Sequence, residues 1–175
     1  MKYMPKMFVV AVASLVLVAC SAEQEEGRQV DASGKQETAL DAVPDEVLAA
    51  AMAASPALEI LEAEYETRDG REYYDVGGTL PDGSELELDM TRIDGVWTVV
   101  EFQRDIGMDL VPAAVAAALA AGVADWMPTR IIESDQGDGT IIYEFFGPGD
   151  GEEQEKHEVK WRDGSAELLV DEWAH

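Results

Sequence analysis

Apolar and polar residues alternate with a period of two along several stretches of this chain. In its first half Leu61, Ala63 and Tyr65 alternate with Glu62, Glu64 and Glu66, and Tyr74 and Val76 with Tyr73 and Asp75. Leu86, Leu88 and Met90 then alternate with Glu85, Glu87 and Asp89. The last stretch sets Val96, Thr98, Val100 and Phe102 against Trp97, Val99 and Glu101. In the second half, strand-like stretches cover Thr129 to Ser134, Thr140 to Phe146, Glu153 to Arg162 and Ser165 to Trp173. Within the third of these, His157, Val159 and Trp161 alternate with Lys156, Glu158, Lys160 and Arg162. A period of two with one charged face predicts an antiparallel sheet covered on one side only. A segment of helical period precedes each group: Val47, Ala50, Ala51 and Ala54 before Pro56, and Val115, Ala118, Leu119 and Gly122, running on toward Trp126, before Pro128. Pro44 and Pro112 suit helix starts, and Asp45 and Glu46 favour the positive end of the first helix dipole.

Asp-Gly pairs punctuate the alternation. Asp69-Gly70, Asp82-Gly83 and Asp94-Gly95 return as Asp138-Gly139, Asp150-Gly151 and Asp163-Gly164, displaced by 69, 68 and 69 residues. Gly accepts positive φ and Asp tolerates it, so these pairs predict hairpin turns. Val43-Pro44 and Val111-Pro112 stand at the same displacement. The expectation is an α+β fold of two tandem units, residues 41–104 and 109–175, each a helix followed by a four-stranded antiparallel sheet, with the helices on one face.

The start of the chain has a different character. Lys2 and Lys6 precede a run from Phe8 to Ala19 that is apolar except for Ser14, which predicts a secretory leader over residues 1–19. Leu17-Val18-Ala19-Cys20 resembles the lipobox of bacterial lipoproteins, in which a peptidase cuts before a cysteine that carries lipid. That resemblance implies a lipid anchor at Cys20 and, with Ser21 rather than Asp following, an outer-membrane lipoprotein facing the periplasm. Residues 20–40 are polar and predict a flexible tether with a span of roughly 25 Å.

Charge narrows the partners. The chain has 175 residues with 12 Lys+Arg and 37 Asp+Glu, a balance of −25 that becomes −27 once Lys2 and Lys6 leave with the leader. Such a surface repels nucleic acid, and no nucleic-acid role is expected.

No catalytic constellation is expected either. Cys20 is assigned to lipid, and no Ser-His-Asp or Cys-His pair suggests itself. His157 and the terminal His175 lack a second ligand at metal-binding spacing, and no cofactor or metal site is expected. Asp135-Gln136-Gly137-Asp138-Gly139 shares a little with a calcium loop, but falls where a turn is already required. Glu at every other strand position reads as a solvated face. Tyr73, Trp97, Trp161 and Trp173 are the candidate anchors for a partner, with burial beneath the helices or between the units as the alternative.

Val43-Pro44, Tyr74-Asp75-Val76, Asp82-Gly83-Ser84-Glu85-Leu86-Glu87 and Asp94-Gly95 resemble PepSY-like domains and the related tandem fold of β-lactamase inhibitory proteins. Val111-Pro112, Tyr143-Glu144-Phe145, Asp150-Gly151-Glu152-Glu153 and Asp163-Gly164 carry the same resemblance through the second half. It implies a helix layer on one sheet face, an open face able to bind another protein, and an inhibitory or regulatory role without catalysis. The paired cysteines of secreted β-lactamase inhibitory proteins are absent. The expected function is a lipid-anchored, non-catalytic envelope protein that binds a periplasmic protein or peptide. The alternative is an acidic lipoprotein that binds divalent cations.

Overall fold

Hairpin after hairpin, the chain builds a single antiparallel sheet. The computed structural model describes residues 34–149 and 154–173, so Cys20, the leader and the Asp150-Gly151 turn lie outside the described residues. The strands are β1 (Gln36–Glu37), β2 (Glu59–Arg68), β3 (Arg71–Thr79), β4 (Glu85–Ile93), β5 (Val96–Asp105), β6 (Arg130–Asp135), β7 (Thr140–Phe146), β8 (Lys156–Arg162) and β9 (Ser165–Leu168). They lie side by side in chain order, nine strands in one sheet. Two short helices, α1 (Asp45–Ala54) and α2 (Ala113–Gly122), interrupt them.

This corrects the expected fold. The described residues form mostly one nine-stranded antiparallel sheet, not two helix-plus-four-strand units. The joining strands β5 and β6 pair through Phe102–Asp135, Gln103–Ser134, Arg104–Glu133 and Asp105–Ile132, so the sheet runs through the junction without a break. Separate sheets would each present unpaired edge groups there, and pairing β5 with β6 removes that liability. The turn periodicity along the sequence marks similar hairpins, and says nothing about where one sheet ends.

Turn chemistry sets the register. Asp69 and Gly70, Asp94 and Gly95, and Asp163 and Gly164 all have positive φ, from 51° to 83°. Each pair forms a two-residue hairpin loop, so Arg68 faces Arg71, Ile93 faces Val96 and Arg162 faces Ser165.

Both helices lie on the same sheet face. Val47 and Ala51 of α1, one turn apart, are fully buried against Tyr74, Val76, Leu88, Met90 and Trp97. Val115 and Leu119 of α2 pack with Ile131, Tyr143, Phe145 and Val159. Burying such side chains contributes roughly 1.5–3 kcal/mol each for the larger aliphatics and aromatics. Helix α2 ends at Gly122, short of the expected run toward Trp126. A Cβ on Gly122 would fall 2.1 Å from Leu168 Cδ2, so the missing side chain lets the helix close on β9.

Two bulges break the expected strict alternation. One falls between Ile60 and Glu62 and leaves Leu61 without a partner on β3. The other leaves out Val100: Met90 faces Val99 and Asp89 faces Glu101. Before this bulge the odd-numbered Trp97 and Val99 face the helices, and after it the even-numbered Phe102 does. Val96 is consequently exposed, and Glu101 is delivered to the face opposite the helices.

Candidate functional site on the open sheet face

The face opposite the helices has no second layer among the described residues, and its chemistry follows from register. Glu37 faces Glu64, Glu64 faces Asp75, Asp75 faces Asp89 and Asp89 faces Glu101. Five carboxylic side chains thus form one row across β1 to β5. Like charges placed directly opposite each other destabilise a sheet, and here the arrangement repeats across four interfaces. One step along the strands lies Glu87, with Gly77 and Gln103 as its cross-strand partners. On the far half of the face Glu144 sits opposite Glu158.

Glu37 at the edge is exposed, but the part of the row on β3 to β5 is far from solvated. Asp75 is 8% exposed and Glu101 only 1%. Asp75, Glu87 and Asp89 each place one carboxylate oxygen within 4.8 Å of the others. Gln103 donates from Nε2 to Asp89 Oδ2 at 3.1 Å, whereas the buried Asp89 Oδ1 has no hydrogen-bond partner among the described residues. Burial, reinforced by the charges of Asp75, Glu101 and Glu87, pushes the Asp89 carboxyl up to about 9. Burial and Asp75 raise Glu87 to about 6, against the opposing pull of Lys35.

Two lysines temper the charge. Lys35, just ahead of β1, forms an ion pair with Asp75 and lies 3.8 Å from Glu64. Burial alone would lower its pKa, but the charge and hydrogen bond of Asp75, backed by Glu87 and Asp89, outweigh burial, so the net shift is upward. Lys156 reaches Glu158 at 2.8 Å and Glu144 at 3.5 Å. Burial raises the Glu144 pKa, and Lys156 opposes the rise.

A groove of about 980 Å³ runs over this face, lined by Lys35, Tyr73, Asp89, Glu101, Glu144 and Trp173 among others. A smaller hollow of about 280 Å³ adjoins it beside Leu61, Gly77, Gly78 and Arg130.

The four aromatic candidates divide between the two faces. Trp97 is 5% exposed beneath α1, where its Nε1 donates to Glu46 Oε1 at 3.2 Å. Trp161 packs in the layer under α2. Tyr73 and Trp173 lie on the open face. The Arg68 guanidinium covers the Tyr73 ring at 4.6 Å, and the Lys160 ammonium sits 4.6 Å from the centre of the Trp173 ring. Trp173 Nε1 donates to Gln136 Oε1 at 3.0 Å. His157 belongs to the helix side, edge-on to Trp126 and 3.1 Å from Glu155, apart from the acidic row. In the loop after β6, Asp135 accepts from the Gly137 N–H at 2.9 Å and Asp138 from the Thr140 N–H at 2.8 Å, so each carboxylate closes its own turn.

Among the described residues no helix is long and apolar enough to cross a membrane. No family model matches the chain, and neither does any curated protein or solved structure.

Proposed function

We propose that this chain is a lipid-anchored, non-catalytic binding protein of the cell envelope that holds a basic protein or peptide on its open sheet face. The observation that carries the reading is the acidic row Glu64–Asp75–Asp89–Glu101, which sets like charges against one another on a face with no covering layer among the described residues. Local chemistry that opposes stability is concentrated where a molecule has another use for it. A cationic partner would relieve the repulsion, and the half-buried Trp173 gives the groove an apolar contact beside its acidic floor, whereas Tyr73 is buried beneath Arg68. The lipobox-like Leu17-Val18-Ala19-Cys20 supplies the anchor, with residues 1–19 as leader and Cys20 as the lipidated residue at the outer membrane. The PepSY-like resemblance is in accord with an inhibitory or regulatory module.

Capture from envelope extracts by the full chain tests this. A partner held by the wild type should be lost with Glu87→Gln/Glu144→Gln and kept with Asp41→Asn, which removes a charge away from the groove. Equal capture by all three proteins refutes the proposed surface. For the anchor, labelled palmitate should enter the wild type and be absent from Cys20→Ser; a wild type that takes up no label refutes it.

Divalent-cation binding is the second reading, favoured by the approach of Asp75, Glu87 and Asp89 within 4.8 Å. It ranks lower because calcium takes about six to eight oxygens, and Lys35 already balances Asp75. Saturable micromolar calcium binding in calorimetry, lost in Asp89→Asn, would reverse the order.

A further inference from the structure

We propose that residues 34–38 form a strap in which Lys35 occupies the seat that a partner's lysine takes, so that partner binding displaces the strap. This rests on the open-face reading above and adds a regulation to it. Strand β1 is weakly held by its own pairing. It meets β2 through only Gln36–Tyr65 and Glu37–Glu64, and the second pair sets two acids face to face. One further backbone bond, Thr38 N–H to Ala63 O at 2.8 Å, extends this pairing, and Thr38 is buried at its end. So short an edge strand has little stability alone.

The stronger hold comes from the Lys35 side chain, which passes over β2 to reach Asp75 on β3. Its ammonium lies where the acidic row is densest: Asp75 is beneath it, Glu64 is 3.8 Å away, and Glu87 and Asp89 act on it through their charges. Among the described residues, Lys156 and Lys160 serve β8 and the Trp173 side of the groove, so Lys35 is the described ammonium at this end of the face. An intramolecular ammonium already seated there identifies the chemistry the seat accepts. A lysine on a partner offers the same charge, and the two cannot share the seat.

Hydrogen exchange on the full chain in detergent, with an alternating Lys/Ala peptide as probe, tests the proposal. Lys35→Met keeps the apolar stem and removes the charge. Amides of residues 36–38 should exchange about tenfold faster in this variant, while β3 to β5 keep wild-type protection. Saturating peptide should produce the same local loss of protection in the wild type, and Lys35→Met should bind the peptide several-fold more tightly. Unchanged exchange at residues 36–38 in the variant overturns the strap. Equal peptide affinity in both proteins overturns the competition while leaving the open-face reading standing. Loss of strap protection in Lys35→Met with no peptide bound by either protein refutes the open-face reading and its partner-displacement step, and leaves Lys35 as a fastening only.

Discussion

Replacing Asp89 by Asn should stabilise the protein at alkaline pH and leave it nearly unchanged near pH 4. Asn has almost the same shape, keeps an oxygen for Gln103 Nε2, and removes an ionisable group from between Asp75, Glu87 and Glu101. The Asp89 pKa is raised to about 9 by burial and by those neighbours, so the folded chain binds this proton more tightly than the unfolded chain. Stability from this group is therefore fully present below the ordinary carboxylate range and is lost as pH rises toward 9. Each pH unit is worth about 1.4 kcal/mol, so roughly four units between pH 4 and pH 8 set a ceiling of about 6 kcal/mol. Water entry and side-chain rearrangement lower that ceiling, and a gain of about 2–3 kcal/mol at pH 8 is expected. It should appear as a melting temperature higher by roughly 4–10 °C. Urea denaturation of both proteins at pH 4 and pH 8 measures the difference directly. Equal stability changes at the two pH values, or destabilisation at pH 8, would show that Asp89 is ionised and solvated in the fold, and the buried acidic row would have to be abandoned.

Backbone contacts give two further tests. Gly78→Ala should cost about 2 kcal/mol or more, because its Cβ would lie 2.0 Å from the Glu59 carbonyl oxygen, whereas Gly77→Ala meets only the Glu62 side chain at 2.9 Å and should cost less. Chemical denaturation of the two variants should rank them in that order. Residues 34–104 alone should self-associate in sedimentation, since removing β6 bares the edge of β5 while β1 still covers β2; a monomeric, cooperatively melting half would contradict the continuous sheet.

Strand positions were largely legible in the sequence, because alternation and Asp-Gly turns are local signals. The turns even carried the register: the two-residue loop at Asp69-Gly70 obliges Glu64 to face Asp75. What period alone did not reveal was the continuity of the sheet, which depends on β5 and β6 meeting across Ile106 to Thr129. Strand β1 was missed because Gln36 and Glu37 are polar and are held by partners distant in sequence. Glu87 and Asp89 read as a solvated face, since alternating acids look the same whether water or other acids lie above them. Glu101 was assigned to the face of Trp97, and only the bulge at Val100 separates the two. That bulge could not be foreseen from alternation. Glu101 itself, an acid in an otherwise apolar and neutral run from Val96 to Gln103, was the one available sign.

Site-specific photocrosslinking in the envelope tests the binding face most directly. A photoreactive residue at Val100, which lines the groove and is skipped by the strand register, should crosslink to a second protein. The same residue at Ala53, exposed on α1 on the opposite side, should not. A discrete adduct from Val100 alone, abolished by Glu87→Gln/Glu144→Gln, is the predicted result. An adduct from Ala53 alone, or none from Val100, would contradict the assignment of function to the open acidic face.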